Sequence, residues 1–579
     1  VFAICRQFSY CSHWTWTFQI CSIFDIHIFR PNRYQIFPTM KQAKERPKRV
    51  ANDLSGPPPV KRVPAFEYPS LPRWETVYYY LFGVGIFVYA WYRVYAASRE
   101  YKWDGWYGMY ENTPYSPVLG PGWKKDVTNF EWRKWVPYAK SALPWFLGHS
   151  LLFNFLSLIL KKNVWSIVMF IYWLIANIYI FDSILLAASM TSGFLVYCTM
   201  RLTRWRTLVW AISVIFLYLS LNHVDFFHRP RCYYIGVMFL SYKMLQYISF
   251  NLEECTNGRV ENENFFQGLY HMFWYAFYLP YSSSLIVIYK RFPEEMKQRF
   301  IKKRRSSEIL WFAARIVFWY FFIDHFFLYV MYHDALILDR DVLSSVSEDT
   351  LVSIAYATGQ FFQMKYVVIF GLPAIFAKLD NMSPLKGPIC IARVSLYSKI
   401  WRSFDRGLYQ FFKEYIFLPI CRPTFSLWRV VSGVFVSYGF VLVWHGLTHQ
   451  YIVWIILNIS ELFVEQLAKR FYSIPTVNQW RKKKFRDQVF RRILAVLQIT
   501  PLAFGLYAIF YFLADSNSGY IIVDRIFWQE TVNLRWPFFL LLFVGYHFNQ
   551  MCMDVEKTQC EAEKRQVEEE EKLKAKKIK

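Results

Sequence analysis

Two ionisable residues, Asp405 and His445, stand forty positions apart at the two ends of one largely apolar stretch. It runs from Trp401 to Gly446 as WRSFDRGLYQFFKEYIFLPI, a short basic loop and an apolar run closing on VLVWHG. An imidazole inside an apolar span is costly to place and is a functional candidate by default. Neutral near pH 7, it can take a proton from an attacking group. The plainer reading is a packed histidine bonded to a backbone carbonyl, and the residue alone leaves both open. Asp405 lies in an amphipathic segment just outside the run. A carboxylate there can orient a catalytic group or hold a substrate. It can equally be a solvated charge at the membrane interface, or a partner of Arg402 or Arg406.

The elements that must position these groups are membrane spans. The chain is 55% hydrophobic and 21% aromatic with only 19% charged residues, the composition of a polytopic membrane protein. Apolar runs near twenty residues predict spans at about 75–95, 143–160, 164–182, 184–200, 232–250, 268–289, 309–331, 352–376, 427–446, 449–468, 492–513 and 535–552. The run 207–221 is shorter and is flanked by basic RLTRWR and HVDFFHRPR, which suggests a re-entrant segment. Counts of ten to twelve spans are compatible with the pattern, because 352–376 and 449–468 could be shallow or broken.

The net charge of +25 is clustered. With the basic segment 41–62 in the cytosol, Lys161–Lys162, Arg201–Arg206, Lys297–Arg305 and Arg481–Arg492 also fall there, as the positive-inside rule requires. The segment 377–426 is then cytosolic, and the run 427–446 carries the chain across, so that His445 ends near the lumen. Asp405 and His445 approach a central cavity from opposite sides. Such clustering favours cytoplasmic loops over nucleic-acid binding. The ten cysteines form no CxxC, so neither a zinc site nor a disulfide framework is indicated. There is no GxSxG, Walker-type or HExxH motif. A secondary transporter would usually show a repeat of its halves, and none is found. His149, Lys243, Asp324 and His325 are other polar residues in apolar runs. They are expected to pair with other helices or line the cavity.

The contexts W-R-x-F-D-x-G-L at Asp405 and V-W-H-G at His445 resemble the membrane-bound O-acyltransferase family. More narrowly, the chain is similar to its Hedgehog acyltransferase branch, on LPRWE (Leu71–Glu75), YRVYAASRE (Tyr92–Glu100), KKDVTNFEWRKW (Lys124–Trp135) and PIC (Pro388–Cys390). The resemblance covers roughly residues 70–552. It implies an all-α polytopic integral membrane protein, a bundle of about ten to twelve transmembrane helices with re-entrant segments around a central cavity. It implies an enzyme that moves palmitoyl from palmitoyl-CoA to the N-terminal cysteine amine of a secreted Hedgehog-like protein. His445 would be the catalytic base and Asp405 catalytic beside it. Trp401, Arg402 and Trp444 would bind acyl-CoA; the alternatives for Trp401 and Arg402 are an interfacial anchor and a snorkelling cation. Cys390 would hold a haem iron through its thiolate, where the sequence alone shows a lone cysteine in a basic loop. A glycine pair common in the wider family is replaced here by Cys421–Arg422. The rival readings are a lipid or glycerol-type acceptor, a transporter, and a catalytically silent scaffold, which would be expected to lose the histidine.

The ends divide from the membrane domain. Residues 1–69 read as a disordered N-terminal extension, with translation expected to start at Met40 and 1–39 an over-extension. Residues 70–552 form the acyltransferase membrane domain, and 553–579 a charged cytosolic tail. That tail closes on Lys576–Lys577–Ile578–Lys579, which resembles the dilysine retrieval signal of endoplasmic-reticulum membrane proteins. Endoplasmic-reticulum residence with both termini cytosolic is therefore expected.

Overall fold

A computed structural model describes residues 66–102, 115–222, 233–257, 264–301, 305–390, 394–445, 447–514, 516–528 and 536–578. Most of the N-terminal extension and Gly446 lie outside them. The described chain is almost wholly helical. Its only sheet among these residues is a two-stranded hairpin, β1 (Tyr115–Ser116) with β2 (Gly120–Lys124).

The helices fall where the apolar runs predict. They are α1 (Arg73–Glu100), α2 (Phe130–Ile159), α3 (Lys162–Ile180), α4 (Ser183–Thr203), α5 (Arg206–Asn222), α6 (Tyr233–Asn257), α7 (Phe265–Phe277) and α8 (Phe292–Gln298). After these come α9 (Ser306–Val330), α10 (His333–Leu338), α11 (Arg340–Ser345), α12 (Glu348–Leu379), α13 (Tyr397–Phe404) and α14 (Arg406–Phe412). The last are α15 (Leu427–His445), α16 (His449–Tyr472), α17 (Pro475–Lys484), α18 (Asp487–Leu497), α19 (Ile499–Leu513), α20 (Ser516–Val523) and α21 (Trp536–Ile578). Seven of them, α2, α3, α4, α9, α12, α15 and α16, are long and apolar enough to cross a membrane by length and composition. In α12 67% of the apolar window is buried against 17% in α9, so α12 is the central column and α9 lies at the periphery. Rather than being broken, α12 runs continuously through Pro373.

Three expectations are corrected. The run 207–221 is one continuous helix, α5, rather than a segment that dips and returns. The predicted span 268–289 is broken instead. Here α7 stops at Phe277, and residues 278–288 continue as a short 3-10 turn and irregular chain, all of it buried. Irregular backbone at this depth is tolerated only where protein satisfies its polar groups, and α6 does so. Lys243 donates to the Ala276 carbonyl, an orphan acceptor at the end of α7. Gln246 donates to the Tyr281 carbonyl at 2.8 Å, and Ser249 Oγ accepts from the Tyr289 N–H at 2.7 Å. Finally, the predicted span 492–513 is split at Gln498 into α18 and α19.

The polar residues in apolar runs pair across helices, as expected. His149 Nε2 meets Asp380 Oδ2 at 2.7 Å, and Trp173 Nε1 donates to His149 Nδ1 at 2.8 Å, so the ring is the neutral tautomer with its proton on Nε2. Tyr278 and Asn154 complete the Asp380 carboxylate. Asp324 sits in a π-helical turn of α9 and takes the Trp132 indole N–H at 3.0 Å and the Lys125 ammonium at 2.6 Å. The extra residue of a π-turn re-aims side chains.

Two quoted motifs prove to be clamps. In LPRWE, Glu75 takes Arg492 of α18 through both oxygens, at 2.8 and 2.5 Å, and the Tyr79 hydroxyl at 3.0 Å. Arg491 reaches the Pro69 carbonyl at 2.7 Å and the Gln550 carbonyl of α21 at 3.1 Å, and with the Glu75 pair this ties α1, α18 and α21 together. In KKDVTNFEW, Asn129 caps α2 through the Trp132 N–H and donates to Asp334 at 2.6 Å. Glu131, 1% exposed, pairs with Lys365 of α12 at 2.6 Å and accepts from Tyr366.

Candidate active site

The segment expected as a cytosolic loop folds into the body of the protein. Trp401 is fully buried on α13 and meets Tyr397 edge-on at 5.6 Å. Asp405 closes that helix and opens the next. It is 6% exposed, which excludes the solvated interfacial carboxylate. Its Oδ1 accepts from the Gly407 and Leu408 N–H groups at 2.8 and 2.9 Å, capping α14. It also lies close enough to Tyr242 of α6 to act on it electrostatically.

The glycine two residues on is required by packing. A methyl group added at Gly407 would overlap the Ile286 carbonyl oxygen, with the carbonyl carbon at 2.9 Å. The irregular stretch after α7 therefore lies directly against the corner that Asp405 caps. Arg402 faces Tyr409, Glu465 and Glu556, and burial pulls its guanidinium below the ordinary value.

His445 ends α15 and is partly buried. Its ring packs on Tyr451 and Trp454 of α16, at 5.6 and 6.3 Å, and on Phe512 of α19 at 6.1 Å. Trp444 beside it is 7% exposed and contacts Phe440 at 5.9 Å, and Phe440 contacts Phe412 of α14 at 5.4 Å. An aromatic ladder thus links the His445 end of α15 to the helix that Asp405 caps. The two site groups come from different elements with different neighbours.

Helix α16 connects the halves. Asn458 accepts from the Tyr397 hydroxyl, and Glu465 takes the Ser398 N–H and hydroxyl at 3.0 and 2.5 Å. The polar residues Asn458, Glu461 and Glu465 of this helix were not picked out from sequence. The signal was there: two acids four residues apart inside an apolar run. An enclosed cavity beside Tyr242, Glu131 and Tyr366 holds about 10 Å³, the room of one water.

Cys390 is half-buried on the irregular segment after α12, with its thiol toward Gln360 Oε1 at 3.9 Å. Among the described residues no three His, Cys, Asp or Glu side chains cluster to hold a bare metal ion. Lys576 and Lys577 lie on the backbone of α21, which runs unbroken from the last predicted span through the charged tail.

The described residues form an all-helical polytopic fold with an imidazole at a span end and a buried Asp on a packed helix corner. Residues 237–509 match the family model of MBOAT, the membrane-bound O-acyltransferase family, and the relatives that the chain resembles support the Hedgehog acyltransferase-like branch of that family. It is similar to the protein-cysteine N-palmitoyltransferase HHAT of Mus musculus, 27% identical over 503 residues, 84% of this chain and 98% of that protein. The protein-cysteine N-palmitoyltransferase Rasp of Drosophila melanogaster is 26% identical over 297 residues, 50% of this chain and 57% of that protein. The mouse protein-cysteine N-palmitoyltransferase HHAT-like protein is 23% identical over 426 residues, 69% of this chain and 80% of that protein.

Proposed function

We propose that the protein transfers palmitoyl from palmitoyl-CoA to the N-terminal cysteine amine of a secreted Hedgehog-like protein in the endoplasmic reticulum. The observation that carries this reading is the likeness along nearly the whole length of a relative named for that activity. An α-ammonium has a reference pKa of about 7.7–8.0 and must lose a proton to become a nucleophile. The neutral amine then attacks the thioester carbonyl. A C–N bond forms, the C–S bond breaks, and His445 takes the nitrogen's second proton and returns it to the leaving thiolate. The products are an amide and free CoA. Asp405 spends one oxygen on the α14 cap, so it acts here as a positioning residue for the corner that carries Trp401 and Arg402. Trp401, Arg402 and Trp444 hold the donor.

Cys390 suits haem ligation as a single accessible sulfur, since the macrocycle supplies the other iron ligands. Haem would supply a brace for the irregular segment and no step of acyl transfer. Lys576 and Lys577 would return the protein to the endoplasmic reticulum from a cytosolic tail.

The test is incubation of purified protein with labelled palmitoyl-CoA and N-terminal-cysteine peptides, alongside lipid acceptors. Label in an amide on the peptide is the expected result. Label in lipid alone would overturn the assignment in favour of a lipid acceptor.

A further inference from the structure

Glu461 is a buried acid that the fold does not account for. It is 4% exposed, and neither carboxylate oxygen has a hydrogen-bond partner among the described residues. Buried polar atoms in folded proteins are almost always satisfied, so this one calls for an explanation. Its surroundings locate it. A methyl group added at Gly505 of α19 would lie 2.9 Å from Glu461 Oε2, and would also press on the Tyr397 ring. Glu461 therefore stands where α13, α16 and α19 meet, beside the aromatic pair Tyr397–Trp401.

The face of α16 can be read as a ruler at about 1.5 Å per residue. At one end Tyr451 and Trp454 carry the His445 ring. At the other end Lys469 pairs with Glu465 at 2.6 Å, and Arg402 and Lys399 lie nearby beside Glu556. Glu461 is about 10 Å along the axis from Trp454 and about 12 Å from Lys469. An acyl-CoA with its thioester at His445 and its phosphates at the cationic end must run its pantetheine arm along this face. That arm carries two amide N–H groups that lose their water on entry. A carboxyl oxygen can accept such an N–H.

We propose that Glu461 binds an amide N–H of the pantetheine arm and so sets the depth of the acyl donor. This rests on the acyl-transfer reading above. The test compares two donors, palmitoyl-CoA and an amide-free palmitoyl thioester of 2-mercaptoethanol, on wild type, Glu461→Leu and Glu461→Gln. A desolvated donor left without its partner costs about 1–3 kcal/mol, so Glu461→Leu is expected to raise the KM for palmitoyl-CoA by at least about fivefold. Glu461→Gln keeps an acceptor oxygen and is expected to raise it about threefold. Neither change should move the KM of the acceptor peptide or the rate with the amide-free donor. Equal losses with both donors, or an unchanged KM for palmitoyl-CoA, would overturn the proposal. If Glu461→Leu does not fold, Glu461→Gln with the two donors decides alone. A wild type inactive with palmitoyl-CoA would instead refute the acyl-transfer reading itself.

Discussion

Replacing Gly407 by alanine tests how closely the irregular stretch after α7 supports the site. The new methyl would stand 2.9 Å from the Ile286 carbonyl carbon. Comfortable carbon separations begin near 3.5 Å, so the two backbones must part by about 0.6 Å or more. Overpacking of this kind costs about 1–3 kcal/mol. The parting also strains the two N–H bonds by which Asp405 caps α14, a cap worth about 0.5–2 kcal/mol. Together the loss is about 1.5–5 kcal/mol, seen as a fall of several degrees in the unfolding midpoint followed by tryptophan fluorescence in detergent. A shift approaching 1 Å at a positioning corner can cost about 100-fold in rate, read as palmitoyl transfer to a cysteine peptide at saturating donor. Gly439 on α15 is the control. A methyl there meets nothing within 4 Å, so Gly439→Ala should leave turnover unchanged and the midpoint level or slightly raised. Wild-type midpoint and turnover in Gly407→Ala would refute the reasoning.

His445→Ala is expected to abolish transfer while leaving the unfolding midpoint near wild type, and Asp405→Ala to lose most activity; undiminished turnover in folded protein would remove either residue from the site. Purified protein expressed with haem supplied should show a Soret band that Cys390→Ser loses, and a wild type free of iron would exclude haem. Changing Lys576 and Lys577 to Ser in a tagged protein should release it toward the Golgi or cell surface, as fluorescence microscopy would show. Burial, and then neighbouring Asp334, raise the Asp126 carboxyl above its ordinary value. The folded chain therefore keeps this proton to higher pH than the unfolded chain. Stability falls as pH rises from about 4 toward the folded value, and Asp126→Asn should flatten that slope in midpoint-against-pH curves.

The long helices were legible because twenty apolar residues in a row admit one solution in a bilayer. Breaks were not. In the apolar run 268–289 the stop signal, Pro280 followed by Ser282–Ser284, was outweighed by hydropathy, and what permits the break is Lys243, Gln246 and Ser249 on another helix. The run 207–221 erred the other way, its flanking charges suggesting a return that α5 does not make. Asp405 and His445 were visible by residue type and context, but the burial of Asp405 was hidden. Its segment looks amphipathic alone and finds its cover only in the fold. Glu461 was overlooked because an acid in a span that was itself in doubt does not stand out until its neighbours are known.

The clamp at Glu75 also sets a schedule. Its partner Arg492 comes 417 residues later, and ribosomes add about 5–20 residues per second. For roughly 20–80 s the first helix waits without the arginine that matches its acid. The nascent chain cannot seal its own beginning until its end is nearly made. Truncation anywhere before α18 leaves that acid without its arginine for good, held only by Tyr79 of its own helix.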